Sequence, residues 1–287
     1  MDPLRYLEEF SAEHWDFRGG RERYESEHRE FDPATKWLVR EAAYALGLGT
    51  DSWPSHDEYR HVLILGGKML TCLKRAEFAR DLLATMTDAP EISGLGSFRE
   101  AGDDERAAAP VQPAAGLDFE VDAVEAAMVH VFALRGTPYD QAKGDPYTDP
   151  NRSWKIRTYS DVGALSRRTE GRVAHVVAAD ASDPGAQRAN TADTCRFWAD
   201  QVAALEPDER VLVVTTAIFV PFQHCDAVAT LGLPYRCEID TVGVDLDGPE
   251  FRNEETVTGQ YLQEIRSAIV SMRRLRDVAL QRRRRFP

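Results

Sequence analysis

Gly66-Gly67-Lys68 stands between an apolar run, His61–Leu65, and a stretch, Met69–Ala84, in which Leu70, Leu73, Ala76, Phe78, Leu82 and Leu83 recur at helical intervals. A strand, a glycine turn and a helix, in that order, aim backbone N–H groups and a helix start at an anion. Lys68 adds a cation. The same triplet also serves as an ordinary tight turn, and that reading stands beside the first. Arg75, in the helix, either grips a carboxylate or phosphate through two N–H groups or lies on the helix surface.

Further along are other candidates. Ser93-Gly94 reads as a second small-residue turn that lets a ligand approach the backbone, or as a plain connection. Asn190 and Thr191 begin a helix, where they either meet a ligand or simply cap it. Thr215-Thr216 closes a β-branched run and orients a ligand if that run is a central strand. Asp180 and Asp183 follow a strand and suit ribose hydroxyls or a solvated turn. For proton transfer the candidates are Glu125, in a helix, and His224, whose ordinary pKa is near 6.5. Trp15, Arg18 and Arg21 are within the reach of a ligand or serve packing.

These positions need a frame. Residues 1–60 read as a helical extension: Pro3–Phe10 and Thr35–Leu46 carry helical spacing, and Asp32-Pro33 is a helix start. From residue 61 strands and helices alternate. Strands are expected at 61–65, 90–97, 172–179, 210–216 and 235–244. Helices are expected at 69–86, 118–134, 194–205 and 217–231, and a long final one over 254–280. Residues 97–116 and 137–170 read as insertions, the first mobile, the second a long loop or lid. The expected fold is α/β: a three-layer, doubly wound, mainly parallel five-stranded sheet over 61–250, with the N-terminal extension and, over 251–287, a C-terminal helix and Arg-rich tail. In that architecture ligands sit at the carboxyl ends of strands.

Net charge is −13, from 35 basic and 48 acidic residues. The seven arginines and one aspartate from Arg273 onward carry +6, leaving −19 for the rest. An acidic body is a poor general nucleic-acid binder, so nucleic acid is expected only through Arg282–Arg285, a run that otherwise reads as a solvated end. No apolar run approaches the roughly 18 residues that span a bilayer, and the N-terminus lacks a secretory pattern. The expectation is a cytoplasmic protein without a membrane partner. The cysteines at 72, 195, 225 and 237 form no C-x-x-C pair and read as buried small hydrophobes, with no metal implied. The G-x-S-x-G, H-E-x-x-H, G-x-x-x-x-G-K-[ST] and first-turn G-x-G-x-x-G signatures do not occur.

The order of these motifs resembles the bacterial YdcF/SanA/ElyC-like family. Its pattern runs from a strand ending Leu-Gly-Gly, through an Arg in the first helix, a Ser-Gly-Gly turn and a helical Glu, to an Asn-Thr-x-Glu-Asn segment and a strand ending Val-Thr-Ser before His and Arg. Here the matching positions are Leu65-Gly66-Gly67, Arg75, Ser93-Gly94 (followed by Leu95), Glu125, Asn190-Thr191-Ala192-Asp193-Thr194 and Val214-Thr215-Thr216. The family's His and Arg fall on Phe219 and Phe222, with His224 out of register. The resemblance implies a small-molecule site at the strand ends, with S-adenosylmethionine as a cofactor bound by a cytoplasmic member. The functional expectation is a small-molecule enzyme, a transferase or hydrolase, acting on a nucleotide-like or phosphorylated ligand. The alternative is a non-catalytic ligand-sensing or scaffold protein with a degenerate site.

Overall fold

A computed structural model describes residues 2–17, 19, 29–87, 90–109, 116–163, 173–246 and 257–285. Arg18, Arg21 and Arg172 lie outside the described residues, as do parts of both expected insertions (110–115 and 164–170), the start of the expected final helix and the tip of the tail. In chain order come helices α1 (Pro3–His14) and α2 (Pro33–Ala45), strand β1 (His61–Leu65), α3 (Met69–Leu83), β2 (Glu91–Gly96), α4 (Asp103–Ala108) and α5 (Glu120–Val131). Then follow β3 (Leu134–Arg135), β4 (Tyr139–Lys143), β5 (Trp154–Tyr159), β6 (Asp161–Val162), β7 (Ala174–Ala178) and α6 (Thr191–Trp198). The chain ends with β8 (Arg210–Thr216), α7 (Val220–Ala227), α8 (Leu233–Tyr235), β9 (Glu238–Val244) and α9 (Val257–Arg285).

The main sheet has seven strands in the order β4-β5-β7-β2-β1-β8-β9, not the five expected. The five expected strands are all there. Two more come from the segment read as a loop: β4 and β5 form an antiparallel hairpin, and β5 pairs antiparallel with β7. The sheet is therefore mixed, parallel across β7-β2-β1-β8. β4 hides from a periodicity search because it is exposed along its whole length, so neither face imposes an apolar pattern. β3 and β6 make a separate two-stranded ribbon. Part of the first insertion is also ordered, as α4.

Among the five originally expected strands the order is third, second, first, fourth, fifth. In that order the connections reverse direction between β1 and β8, which is the topological switch point of the sheet.

The chain divides into two compact units, one of residues 1–53, 216–229 and 242–287, the other of 54–215 and 230–241. In the second, helices cover both faces of the sheet. α5 packs on the face carrying Gly94 and Gly96. A Cβ on Gly94 would fall 2.3 Å from Met128 Sδ, and one on Gly96 2.6 Å from Val121 Cα, so both glycines are required by close helix–sheet approach. α3 packs beside α5. On the opposite face Trp198 of α6 donates its indole N–H to Ser93 Oγ at 3.0 Å. β1 and β8 are almost wholly apolar and buried, as central parallel strands must be.

In the first unit α1 and α2 pack along α9. Asp2 caps α1 and pairs with Arg276 at 2.6 Å, and that guanidinium holds its carboxyl down at about 2. Asp16 meets Arg266 at 3.0 Å. Asp32 caps α2 by accepting from the amides of Ala34 and Thr35, both at 3.0 Å, with Pro33 at the first helical position, as the sequence predicts. Ala43, Leu48 and Tyr261 form one buried apolar cluster of the unit. α9 continues through Arg282–Arg284 to Arg285. Among the described residues no helix is long and apolar enough to cross a membrane.

Candidate functional site

The chemistry gathers at the carboxyl ends of β1 and β2. Gly66 donates its amide to Leu95 O at 2.7 Å. A Cβ there would sit 2.8 Å from that oxygen and 2.9 Å from Glu120 Oε1, so only glycine passes. Arg75 is 2% exposed and folds back from α3. Its Nη1 donates to Leu65 O at 2.8 Å and to Gly66 O. The guanidinium thus fixes the turn from behind. Gly67 O accepts from Cys72 Sγ at 3.3 Å and from Arg99 Nη2 at 3.2 Å. The turn's carbonyls are occupied, whereas among the described residues the amides of Gly67 and Lys68 have no hydrogen-bond partner. The Lys68 ammonium reaches Asp104 at 3.4 Å in solvent.

The position in front of α3 already holds a carboxylate from the chain itself. Glu105 of α4, 3% exposed, accepts from Met69 N at 3.2 Å and Gly102 N at 3.1 Å. Arg99 grips it through Nη1 at 2.8 Å and Nη2 at 2.9 Å. Burial alone would raise the Glu105 pKa, but the Arg99 and Gly102 hydrogen bonds outweigh it and hold the carboxyl below its ordinary value. Beside this pair Ser97 Oγ donates to Glu120, and Arg188 Nη1 comes to 3.5 Å from Ser97 Oγ. Thr194 of α6 donates to Gly96 O at 3.4 Å. Burial raises the Cys72 thiol to about 12, so it stays protonated beneath the turn.

Gly66, Gly67, Lys68 and Arg75 lie side by side, with Arg75 turned to the backbone carbonyls rather than to a ligand position. Thr215 and Thr216 close β8 as buried residues. β8 pairs with β1 through Ile64↔Val214, which puts Thr215 level with Leu65. Ser93 and Gly94 do not form the turn at the end of β2. The strand runs on to Gly96, and both residues are consumed by packing, Ser93 against α6 and Gly94 against α5. Asn190 and Thr191 are exposed at the start of α6. Asn190 Oδ1 accepts from Asp193 N and Asp193 Oδ2 accepts from Asn190 N, both at 3.1 Å, a reciprocal cap.

Glu125 is 3% exposed, at mid-height on the sheet rather than at its carboxyl edge. Its carboxylate accepts from Arg157 and from the Tyr159 hydroxyl of β5, and Arg157 pairs with Val176, itself level with Gly94. His224, on α7, and Thr216 fall in the first compact unit, and the site described here is built from residues of the second alone.

Sequence reasoning missed Ser97, Arg99, Glu105, Glu120 and Arg188. Ser97 stood at the end of the small-residue run 93–97 and was the better turn candidate. Arg99 and Glu105 fell in a segment whose composition suggested a mobile insertion.

A family model, the Rv3785 N-terminal domain, matches residues 1–47. The chain is 29% identical over 294 residues to the uncharacterised protein Rv3785 of Mycobacterium tuberculosis (strain H37Rv), covering 95% of this chain and 80% of that protein. The same figures hold for the uncharacterised protein Mb3814 of Mycobacterium bovis. No solved structure matches the chain.

Proposed function

We propose that the α/β body binds a small anionic or nucleotide-like molecule at the carboxyl ends of β1 and β2, beside the switch point. The observation that carries this is the pair of Gly67 and Lys68 amides at the start of α3, which have no hydrogen-bond partner among the described residues. An anionic group lies against those amides, with Arg188 on its far side. Glu120 would repel a second anion and instead takes a hydroxyl or ammonium from the ligand. That donor and acceptor set fits the carboxylate, amine and ribose hydroxyls of S-adenosylmethionine, the cofactor that the YdcF-like resemblance suggests. The protein acts in the cytoplasm, as a transferase or hydrolase.

If chemistry follows binding, Glu120 with Ser97 is the proton-handling pair, because Glu125 is committed to Arg157 and Tyr159. That same commitment favours the second reading, a ligand sensor without catalysis. Thermal-shift screening and equilibrium dialysis against nucleotides and S-adenosylmethionine test the first reading. A ligand should raise the melting temperature of the wild type and not of Gly67→Val. No shift with any of them, from folded protein, defeats it. Retained phenotype in Glu120→Gln, lost in Gly67→Val, selects the sensor.

A further inference from the structure

The amino edge of the same sheet carries a different cluster. His61 opens β1 and is 1% exposed. Its Nδ1 is 3.6 Å from Glu91 Oε2 on β2, and its Nε2 is 3.7 Å from Glu209 Oε2, just ahead of β8. Both separations exceed a hydrogen bond, and among the described residues neither ring nitrogen has a hydrogen-bond partner. The ring meets Trp198 of α6 edge-on, with centroids 5.2 Å apart at 86°. Arg60 takes the two carboxylates from outside, with Nη2 3.0 Å from Glu91 Oε1 and Nε 3.5 Å from Glu209 Oε1. A second imidazole, His175 on β7, pairs in register with Ser93, and its Nδ1 lies 3.0 Å from Thr158 Oγ1 of β5. Glu91 and His61 are the charged or titratable groups that act on it.

We propose that this amino edge is an acid-sensitive latch: closed, it holds His61 and His175 neutral; open, it lets each ring take up a proton. The geometry explains why the closed form refuses the proton. The carboxylates that would welcome it are already held by Arg60, and they stand too far from the ring to repay its desolvation. Burial accordingly pushes both rings below the ordinary histidine value, against the pull of Glu91 and Glu209 on His61 and of Glu91 on His175. A solvated histidine keeps its value of about 6.5. Below that pH the open form binds protons that the closed form does not. The opening equilibrium then rises by about tenfold per pH unit for each ring, and by up to about a hundredfold with both. The stabilisation from keeping the rings neutral is complete above pH 6.5 and is lost as the pH falls towards the depressed values of the closed form.

The test is urea unfolding of the full chain at pH 7.5, 6.5 and 5.5. Between 7.5 and 5.5 the wild type should unfold more readily, with an uptake approaching two protons. His61→Phe should lower that uptake by about one proton relative to the wild type, and His61→Phe with His175→Phe by about two. Ordinary carboxylates titrate mainly below about 4.5, and Asp226, whose carboxyl burial pushes upward, is common to the wild type and the variants and cancels in the difference. An unchanged unfolding constant in the wild type, or the wild-type slope in His61→Phe, overturns the proposal. Should the variants not fold, titration of the His61 ring protons in the wild type decides: a value below 6.5 supports the latch, and one at or above 6.5 sinks it.

Discussion

Two buried polar centres on opposite faces of one sheet handle the same problem differently. On the α5 face Glu125 receives Arg157 and the Tyr159 hydroxyl, and Arg157 reaches on to Asp140 at 3.1 Å. Each charge has an opposite charge in contact. Burial works against the Arg157 guanidinium, yet Glu125 outweighs it and holds the proton firmly. On the α6 face His61 sits between two carboxylates and bonds to neither. The first centre ties the β4–β5 hairpin to the body. The second contributes little by contact and much by what it forbids, a charge. Opposite charges in hydrogen-bonded contact, rather than depth of burial, separate a fastener from a sensor, even though Arg157 Nε meets Asp140 only as an ion pair.

The largest expected effect comes from breaking the fastener. Glu125→Ala leaves Arg157 and Tyr159 buried without their acceptor, and urea denaturation should show a loss of roughly 3–5 kcal/mol. A loss below about 1 kcal/mol would mean that solvent enters the centre and the contrast is false. Next is the backing of that face. Gly94→Ala places a methyl 2.3 Å from Met128 Sδ and 2.4 Å from Val124 Cγ1. It should cost about 1–3 kcal/mol by overpacking, relieved in part when Met128→Ala is combined with it. Smaller still is the replacement of the sensor. At pH 7.5 His61→Phe swaps an unpartnered ring for an apolar one of similar size and should change stability by less than about 1.5 kcal/mol in either direction.

A pH series sharpens the contrast further. Glu105, with its carboxyl held low in the folded protein, contributes stability that is full above its unfolded value of about 4.5 and disappears as pH falls through the folded one. The histidine window lies above that. Two separate falls in stability, with only the upper one removed by the histidine variants, are the expected profile. A single fall below pH 4.5 counts against a sensor at the amino edge.

Much of the frame was legible from local chemistry. His61–Leu65 and Arg210–Thr216 are apolar runs bounded by turns, and Asp32-Pro33 carries its own capping logic, so each could be placed without knowing its neighbours. The β4–β5 hairpin could not, because β4 is exposed along its length and its pairing is decided by β5 and β7. Gly66-Gly67 was readable as a turn, but Glu105 in front of α3 was not. Its role exists only once Arg99, Gly102 and Met69, from separate segments, are brought together. Ser93-Gly94 misled for the opposite reason. Small residues after a β-rich start look like a turn, and only the approach of α5 and α6 shows them to be strand interior.

Asn190 is where cap and ligand contact can be told apart, and its effect is the smallest. Its side chain accepts from Asp193 N, and the return bond from Asp193 leaves Asp193 Oδ1 for Ser182 Oγ at 2.6 Å and Arg196 Nη2 at 3.2 Å. Asn190→Ala should lose about 1 kcal/mol in urea denaturation. Asn190→Ser should recover most of it, because a serine oxygen accepts the same amide. If the residue is only a cap, any ligand that stabilises the wild type should stabilise Asn190→Ser equally. If it also touches ligand, Asn190→Ser will regain stability without regaining the ligand-induced shift, and the site extends from the β1 turn to the start of α6.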